Sequence, residues 1–367
     1  MIEMRIAHID THLTWRGGQR QVLELIRGLN GQGHINTLIC KPGSEISSRA
    51  GECGIHVVHI PMRGEWDIAS VMKIRSFIKK ERIHITHVHT SHAHSLAVMA
   101  LWRLDTCKLI VARRVDFHVH NYLSRKFKYG SRVDKIITVS DAVKRILLED
   151  GIDPDSLVTI RSGFIVEEFA DNRNNINLRA KLGLPENAVV IATVAALAPH
   201  KDHYVLLKAA YYVVQKHPEA VFLLAGEGEL QEKINRDIHS LGLEKSVLLL
   251  GFIEEIGSVY DAADIFALSS REEALCSSLL DAMYFELPVV ATSAGGVPEL
   301  IQDNVNGYIV PVGDYTSFAE RLNCLIENPE TRKKMGSHSS AILNNNTIKH
   351  TIDKTVEVYQ DVLNITN

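Results

Sequence analysis

Residues 265–300 read IFALSSREEALCSSLLDAMYFELPVVATSAGGVPEL. Ile265–Leu268 is an apolar run of strand length, followed by two serines. A polar stretch follows, and Ser277–Tyr284 then carries apolar residues at helical spacing. A second apolar run, 288–291, ends near Gly295-Gly296, a turn signal. Strand, helix and strand at this spacing predict a parallel pair joined by a crossover helix.

The same alternation extends both ways from this unit. In the first half the expected strands are Arg5–Ile9, Ile35–Cys40 and residues 56–60, 85–89, 108–112, 135–139 and 157–160, with helices at 18–31, 67–80 and 91–103. In the second half the strands are Val189–Val194, 221–225, 247–250, Ile265–Leu268, 288–291 and Gly307–Val310. The helices there are 204–217, 230–241, Ser277–Tyr284 and Tyr315–Glu327. Strict alternation means parallel sheets covered on both faces. The pattern pauses at 166–177, where Asp171-Asn172-Arg173-Asn174-Asn175 reads as a linker, and again at Asn344-Asn345-Asn346. The expectation is therefore two doubly wound α/β domains flanking one cleft: residues 1–165, with an amphipathic helix at 347–363 in the segment 347–367 returning to them, and residues 166–346. In such sheets ligands bind beyond the carboxyl ends of the strands, so the loops after strands matter most.

Composition narrows the class. Apolar residues make up 46% and charged residues 23%, ordinary values for a soluble globular chain. No apolar run approaches the ~20 residues of a membrane span, and the opening residues predict no signal peptide. Cys40, Cys53, Cys107, Cys276 and Cys324 are scattered and odd in number, as reduced thiols of a cytoplasmic protein would be. The net charge of -4 conceals an asymmetry: residues 1–165 hold 24 Lys and Arg against 16 Asp and Glu, and the remainder is correspondingly acidic. Nucleic acid is not an expected partner, because the whole chain is acidic and no binding motif is present.

Three constellations carry chemistry. Gly17-Gly18 follows the first strand and opens a helix, which offers free N–H groups and a positive dipole end to a phosphate; a tight structural turn explains such a pair equally well. His200-Lys201-Asp202 follows Val189–Val194, where a lysine can neutralise a diphosphate leaving group. In the third, Glu273 sits after Ile265–Leu268 and Asp281 eight residues later, inside the helix. The amides of Leu275, Cys276, Ser277 and Ser278 lie at that helix N-terminus, ready for phosphate or sugar oxygens. Carboxylates so placed accept hydrogen bonds from vicinal sugar hydroxyls.

The third constellation resembles the EX7E region of the family 4 retaining glycosyltransferases, of the GT-B fold. The resemblance spans nearly the whole chain. WRGGQRQVLELIRGLNGQGH at 15–34 resembles the family's GG loop and first helix, and VDKIITVSDAVKRIL at 133–147 the last unit of its N-terminal domain. AGEGEL at 225–230 and LGF at 250–252 resemble its donor-domain loops, and PVVATSAGGVPELI at 288–301 and NGYIVPVGD at 306–314 its C-terminal core. It implies two Rossmann-like domains facing across a cleft and transfer of a sugar from a nucleotide diphosphate, UDP before other bases, with retention and without a metal. It implies that Glu273, Lys201 and His118 are catalytic, and that Gly17, Gly18, Lys201, Gly226, Phe252, Glu273, Leu275, Cys276, Ser277 and Asp281 bind the donor. His118 matches a family histidine loosely, since His120 stands two residues away. Three departures bear on donor affinity: Asp281 stands for the second Glu, Ala196 for a frequent Arg, and Tyr284-Phe285-Glu286 for small residues.

The acceptor side is expected to use His89, Arg113 and Arg114, with a glycan or lipid-linked acceptor, in a setting of bacterial lipopolysaccharide or cell-surface polysaccharide synthesis. Arg113, Arg114, Arg125, Lys126, Lys128 and Arg132 interleave with aromatic residues at 113–132. Such a stretch can dock peripherally on anionic lipid, bind an anionic glycan, or merely solvate a loop. His87, His89, His92 and His94 invite a metal reading, but a cleft-lining or hydrogen-bonded strand-end His89 is the expectation, with no metal site. The rival functions are a nucleotide-sugar epimerase and a catalytically degenerate nucleotide-sugar binder.

Overall fold

The computed structural model describes residues 3–119, 121–166, 169, 177–343 and 346–365. The expected linker at 171–175, along with Asn344 and Asn345, lies outside the described residues. The chain divides into two compact units, Met1–Gly163 with Ile348–Asn367, and Phe164–Thr347.

The first unit runs β1 (Arg5–Ile9), α1 (Gly17–Gly31), β2 (Ile35–Cys40), α2 (Glu45–Glu52), β3 (His56–His59), α3 (Ile68–Lys80), β4 (Ile85–Val88), α4 (Ser91–Ala100), β5 (Lys108–Arg113), α5 (Tyr122–Lys128), β6 (Lys135–Thr138), α6 (Asp141–Glu149) and β7 (Leu157–Thr159). Its seven strands lie in the order β3-β2-β1-β4-β5-β6-β7, every pair parallel. The second unit holds α7 (Leu178–Lys181), β8 (Val189–Val194), α8 (His203–Lys216), β9 (Ala220–Ala225), α9 (Gln231–Ser240), β10 (Val247–Gly251), α10 (Gly257–Asp261), β11 (Ile265–Leu268), α11 (Ser277–Tyr284), β12 (Val289–Thr292), β13 (Gly307–Val310), α12 (Tyr315–Glu327) and α13 (Pro329–Leu343). Its sheet, also all parallel, has the order β10-β9-β8-β11-β12-β13. Both are doubly wound, because central strands such as β4, β9 and β11 are buried along their whole length and need helices on both faces. The order reverses between β1 and β4 in one sheet and between β8 and β11 in the other.

Local chemistry sets the element ends. Asp67, expected inside a helix, caps α3 instead: its carboxylate accepts from Ser70 N at 3.1 Å. β12 begins at Val289, one residue later than expected, since Pro288 has no N–H to give to the ladder. α4 ends at Ala100 and does not reach Arg103, which adopts a left-handed φ of 53°.

The expected division after residue 165 moves to Gly163/Phe164. Phe164 N donates to Asn346 O at 2.7 Å and Phe164 bridges Thr347. Its ring lies in the second unit's aromatic cluster, stacked on Tyr284 at 4.5 Å and Phe169 at 5.7 Å. The last helix, α14 (Ile348–Val362), belongs to the first unit and packs on α1. Gln32 donates to Asp353 at 2.8 Å, and a Cβ on Gly28 would stand 2.1 Å from Ile352 Cδ1, so a glycine there lets the two helices meet.

Candidate active site

In the second unit the chain's chemistry gathers at the β8/β11 switch point. Lys201 ends a short turn after β8, and Glu273 lies in the loop between β11 and α11. Though 72 residues apart, Lys201 Nζ meets Glu273 Oε1 at 2.5 Å, both side chains largely buried. The same oxygen accepts from Ser270 Oγ at 2.7 Å. Among the described residues Glu273 Oε2 receives no hydrogen bond, which leaves one carboxylate oxygen for a ligand hydroxyl. Backbone contacts fix the loop: Thr292 Oγ1 donates to Ser270 O at 2.5 Å and Gly296 N to Glu273 O at 2.8 Å. Ser269 Oγ reaches the carbonyls of Lys201 and Asp202, 3.1 Å each. Asp202 sits in the left-handed region and accepts from Arg271 Nε at 2.5 Å, which ties the residue after Lys201 to the loop after β11. Sequence reasoning missed Ser270 and Arg271; both lie inside the quoted phrase, where no spacing marks them.

Cys276 is the N-cap of α11 and supplies no capping hydrogen bond, so the first amides of that helix have no side-chain partner there. Burial pushes its thiol up to about 11, a neutral group and no nucleophile. Leu275 and Ser277 flank it, half-buried. Asp281 is buried on α11 and accepts from Tyr260 OH at 3.5 Å. The phrase Tyr284-Phe285-Glu286 has a packing role. Phe285 stacks on Tyr260 at 5.5 Å and meets Phe169 edge-on at 5.3 Å, while Glu286 turns the chain at φ 56°. Phe252 is exposed after β10. Gly226 N donates to Gly251 O at 2.8 Å, and a Cβ on Gly226 would stand 2.0 Å from Ala195 O.

In the first unit Gly17 and Gly18 open α1, whose N-cap Arg16 offers no capping side chain. Asp10 ties the preceding loop, accepting from His12 N at 2.8 Å and Gln19 Nε2 at 3.1 Å. A Cβ on Gly18 would meet only Arg114 Cδ, at 3.9 Å, so no neighbour demands glycine. Arg114 donates to Ser162 Oγ at 3.3 Å, and its buried Nε has no partner among the described residues. Burial, offset in part by Asp10, lowers its pKa to about 10. Arg114 also lines a cavity of about 20 Å³ with His87, Ser162 and Thr351 of α14, room for one water.

Arg113, expected on the acceptor side, and His118, expected to be catalytic, stand differently. Arg113 is buried under the ring of Phe117 and donates to that residue's carbonyl, so it braces its own loop. His118 is exposed, with Nδ1 2.8 Å from Asp150 Oδ1, whose other oxygen accepts from Val119 N at 2.7 Å. His120 lies outside the described residues. Most cations of 113–132 turn inward: Arg125 donates to Asp150 O, Lys128 to Glu65 at 3.0 Å, and Arg132 to the carbonyls of Leu101 at 2.8 Å and Cys107 at 2.6 Å.

The four clustered histidines separate. His87 and His89 join His8, a residue 79 positions earlier, and the nitrogens of these three lie within 4.8 Å of one another. Asn36 donates through Nδ2 to His34 O, so its Oδ1 accepts from His8 Nε2 at 3.1 Å. His8 Nδ1 is therefore the acceptor for His89 Nε2, also at 3.1 Å. His87 Nδ1 lies 2.7 Å from Tyr359 OH of α14. Burial holds all three neutral: His8 falls to about 4, and His87 and His89 fall well below the ordinary value. Buried His94, on α4, falls to about 3 for the same reason.

An unfolded chain protonates these groups near pH 6.5. The folded pKa values lie lower, so the stability is complete above about pH 6.5 and is lost as pH falls toward 4. His8 alone accounts for roughly 3 kcal/mol at the acid end. The urea midpoint is expected to drop steeply between about pH 6.5 and 4.5; a flat profile across that range would refute the buried neutral cluster.

Two family models match the chain, glycosyl transferases group 1 over residues 174–340 and glycosyltransferase family 4 over residues 15–168. The chain belongs to the family 4 glycosyltransferases. Along 98% of its length, and 98% of the relative's, this glycosyltransferase is 25% identical to the UDP-Gal:alpha-D-GlcNAc-diphosphoundecaprenol alpha-1,3-galactosyltransferase of Escherichia coli. Its fold matches a glycosyltransferase from Rickettsia africae with a TM-score of 0.88 at 21% identity, covering 99% of this chain and 100% of that one. It matches HepE of Anabaena, solved in complex with UDP, with a TM-score of 0.86 at 20% identity, over 98% and 100% of the two chains. Both units are thus the Rossmann-like halves of a GT-B glycosyltransferase. No described helix is long and apolar enough to cross a membrane.

Proposed function

We propose that the chain transfers a sugar from a nucleotide diphosphate, UDP before other bases, to a glycan or lipid-linked acceptor, with retention at the anomeric carbon and no metal ion. The Lys201–Glu273 pair at the β8/β11 switch point carries this reading. In the proposed step the bond from the anomeric carbon to the diphosphate oxygen breaks, and the acceptor oxygen bonds to that carbon on the same face. The acceptor proton passes to the departing phosphate oxygen. Lys201 and the uncapped start of α11 stabilise the charge on the diphosphate without a metal ion. Glu273 Oε2 accepts from a hydroxyl of the transferred sugar, and Asp281 and the backbone near Phe252 hold the nucleoside.

In the first unit Gly17, Gly18 and Arg114 serve the phosphates and the acceptor, and His118, steadied by Asp150, serves the sugar. The Escherichia coli relative, named for UDP-galactose and a diphosphoundecaprenol acceptor, supports a lipid-linked acceptor in cell-surface polysaccharide or lipopolysaccharide assembly. HepE, solved with UDP and with UDP-glucose, supports the base. Of the departures that favoured a degenerate binder, Phe285 fills the second unit's aromatic cluster and carries no weight against donor binding.

A thermal-shift series with UDP, ADP, GDP and their sugar conjugates tests the donor half. Binding raises the melting temperature by mass action, so a ligand at about a hundred times its Kd adds roughly 2.7 kcal/mol. UDP and one UDP-sugar are expected to shift the transition, equally with and without EDTA. Silence from every nucleotide would overturn the reading, and a shift abolished by EDTA would overturn its metal-free part.

A further inference from the structure

We propose that the first unit docks on an anionic membrane through an apolar patch formed by Trp66, Ile68, Met72, Tyr122 and Leu123. All five are more than half exposed, Trp66 at 68% and Leu123 at 73%. Apolar side chains gathered in this way on adjoining elements mark an interaction surface, whereas scattered ones do not. Ile68 and Met72 stand one turn apart on the outer face of α3. The ring of Trp66, just before α3, stacks on Phe127 of α5 at 5.4 Å, which joins the two elements. Tyr122 and Leu123 lie one turn before Lys126 and Phe127 and share their side of α5.

The charge around the patch selects the partner. Arg63, Lys73 and Lys126 are exposed at its rim. The acids on either side of Trp66 are engaged: Glu65 holds Lys128 at 3.0 Å and Ser95 at 3.1 Å, and Asp67 takes the amides of Arg63 and Ser70, each at 3.1 Å. Aromatic and aliphatic side chains within a basic rim match the headgroup boundary of a bilayer, where cations are drawn to an anionic surface. Trp66 and α5 follow the carboxyl ends of β3 and β5. The patch therefore adjoins the sheet edge that carries His89 and Arg114. Its use, bringing that edge to a lipid-borne acceptor, rests on the transferase reading above; its lipid affinity does not.

Co-sedimentation with vesicles of phosphatidylcholine alone, or with about 30% phosphatidylglycerol, tests the docking. The wild type is expected to pellet with the anionic vesicles and to release in high salt. The I68E/L123E double variant, changed only at exposed positions, is expected to lose binding tenfold or more while keeping its UDP thermal shift. K73E/K126E keeps the apolar patch and is expected to lose the preference for anionic over neutral vesicles. A wild type that stays in the supernatant, or an I68E/L123E variant that pellets like the wild type, overturns the assignment. So does a wild type that ignores vesicles and is dimeric by light scattering where I68E/L123E is monomeric, because the face then meets a second copy. Vesicle binding without any nucleotide shift would sink the transferase reading and leave the membrane surface standing.

Discussion

Replacing Glu273 by Gln is expected to lower the rate of sugar transfer by roughly a thousandfold while donor affinity changes by less than about tenfold. The substitution keeps the shape of a side chain packed between Ser270 and Lys201, so the loop after β11 retains its hydrogen bonds to Thr292 and Gly296. What changes is charge. The carboxylate steadies Lys201 through Oε1 and, in the proposed reaction, offers Oε2 to the sugar; the amide supplies neither a negative partner nor the same acceptor pattern. The nucleoside contacts proposed for Asp281 and the backbone near Phe252 lie elsewhere, so affinity is expected to survive. Lys201→Ala is expected to be comparably slow and to weaken the donor as well, since it removes the proposed diphosphate contact and leaves a buried carboxylate without its cation. The E273Q/K201A pair tests whether the two act as a unit: a double variant little slower than either single shows coupling, and multiplicative losses show independence. Steady-state kcat and KM with a radiolabelled donor give the answer, and near-normal turnover by E273Q would remove Glu273 from the reaction.

The reach of the sequence follows from what each feature depends on. Strands β1, β2, β8, β11 and β13 and helices α11 and α12 have the expected bounds because apolar periodicity is local, and burial on both sheet faces makes the runs continuous. α2, α5 and α13 escape the pattern. α5 has seven residues with none buried, so its few apolar residues mark no core face, and α13 opens with a polar turn. Lys201 and Glu273 were legible individually as residues after strands; their 2.5 Å contact came from the strand order, which no local window contains.

Relations across long separations are where reading along the chain ended. His8 joins His87 and His89 only because β1 and β4 are neighbours in the sheet, with His8 opposite His87. The pairing turns an apparent His87–His94 cluster into two separate features. The stretch 113–132 misled in the opposite sense: its cations looked like one basic surface, yet Arg113, Arg125, Lys128 and Arg132 satisfy carbonyls and carboxylates within the unit. The apolar residues Trp66 and Met72, unremarkable in sequence, are among those left in solvent.

Two glycines that resemblance assigns to the same task should fail in opposite ways. Gly226→Ala is expected to destabilise the second unit by about 2–4 kcal/mol. Its φ of 139° lies where side chains are strained, and the new Cβ would stand 2.0 Å from Ala195 O, a backbone atom of the loop leading toward Lys201. That loop cannot yield alone, since Leu197 N donates to Glu227 O at 2.9 Å and Leu230 N to Leu197 O at 3.0 Å. Gly18→Ala meets neither obstacle, because its Cβ finds only an ordinary contact with Arg114 Cδ at 3.9 Å. Gly18 is the second residue of α1, so alanine's preference for helix adds only part of the about 1 kcal/mol of an interior position. Its melting temperature is therefore expected to hold or rise. If the open ground above α1 receives donor phosphate or acceptor, KM nevertheless climbs, because the methyl group occupies the approach to the helix amides. Urea midpoints and kinetics measured on both variants separate the cases. Stable, fully active G18A would mean that the glycine pair serves only the turn, and G226A with an unchanged midpoint would mean that the loop after β9 moves freely enough to absorb the clash.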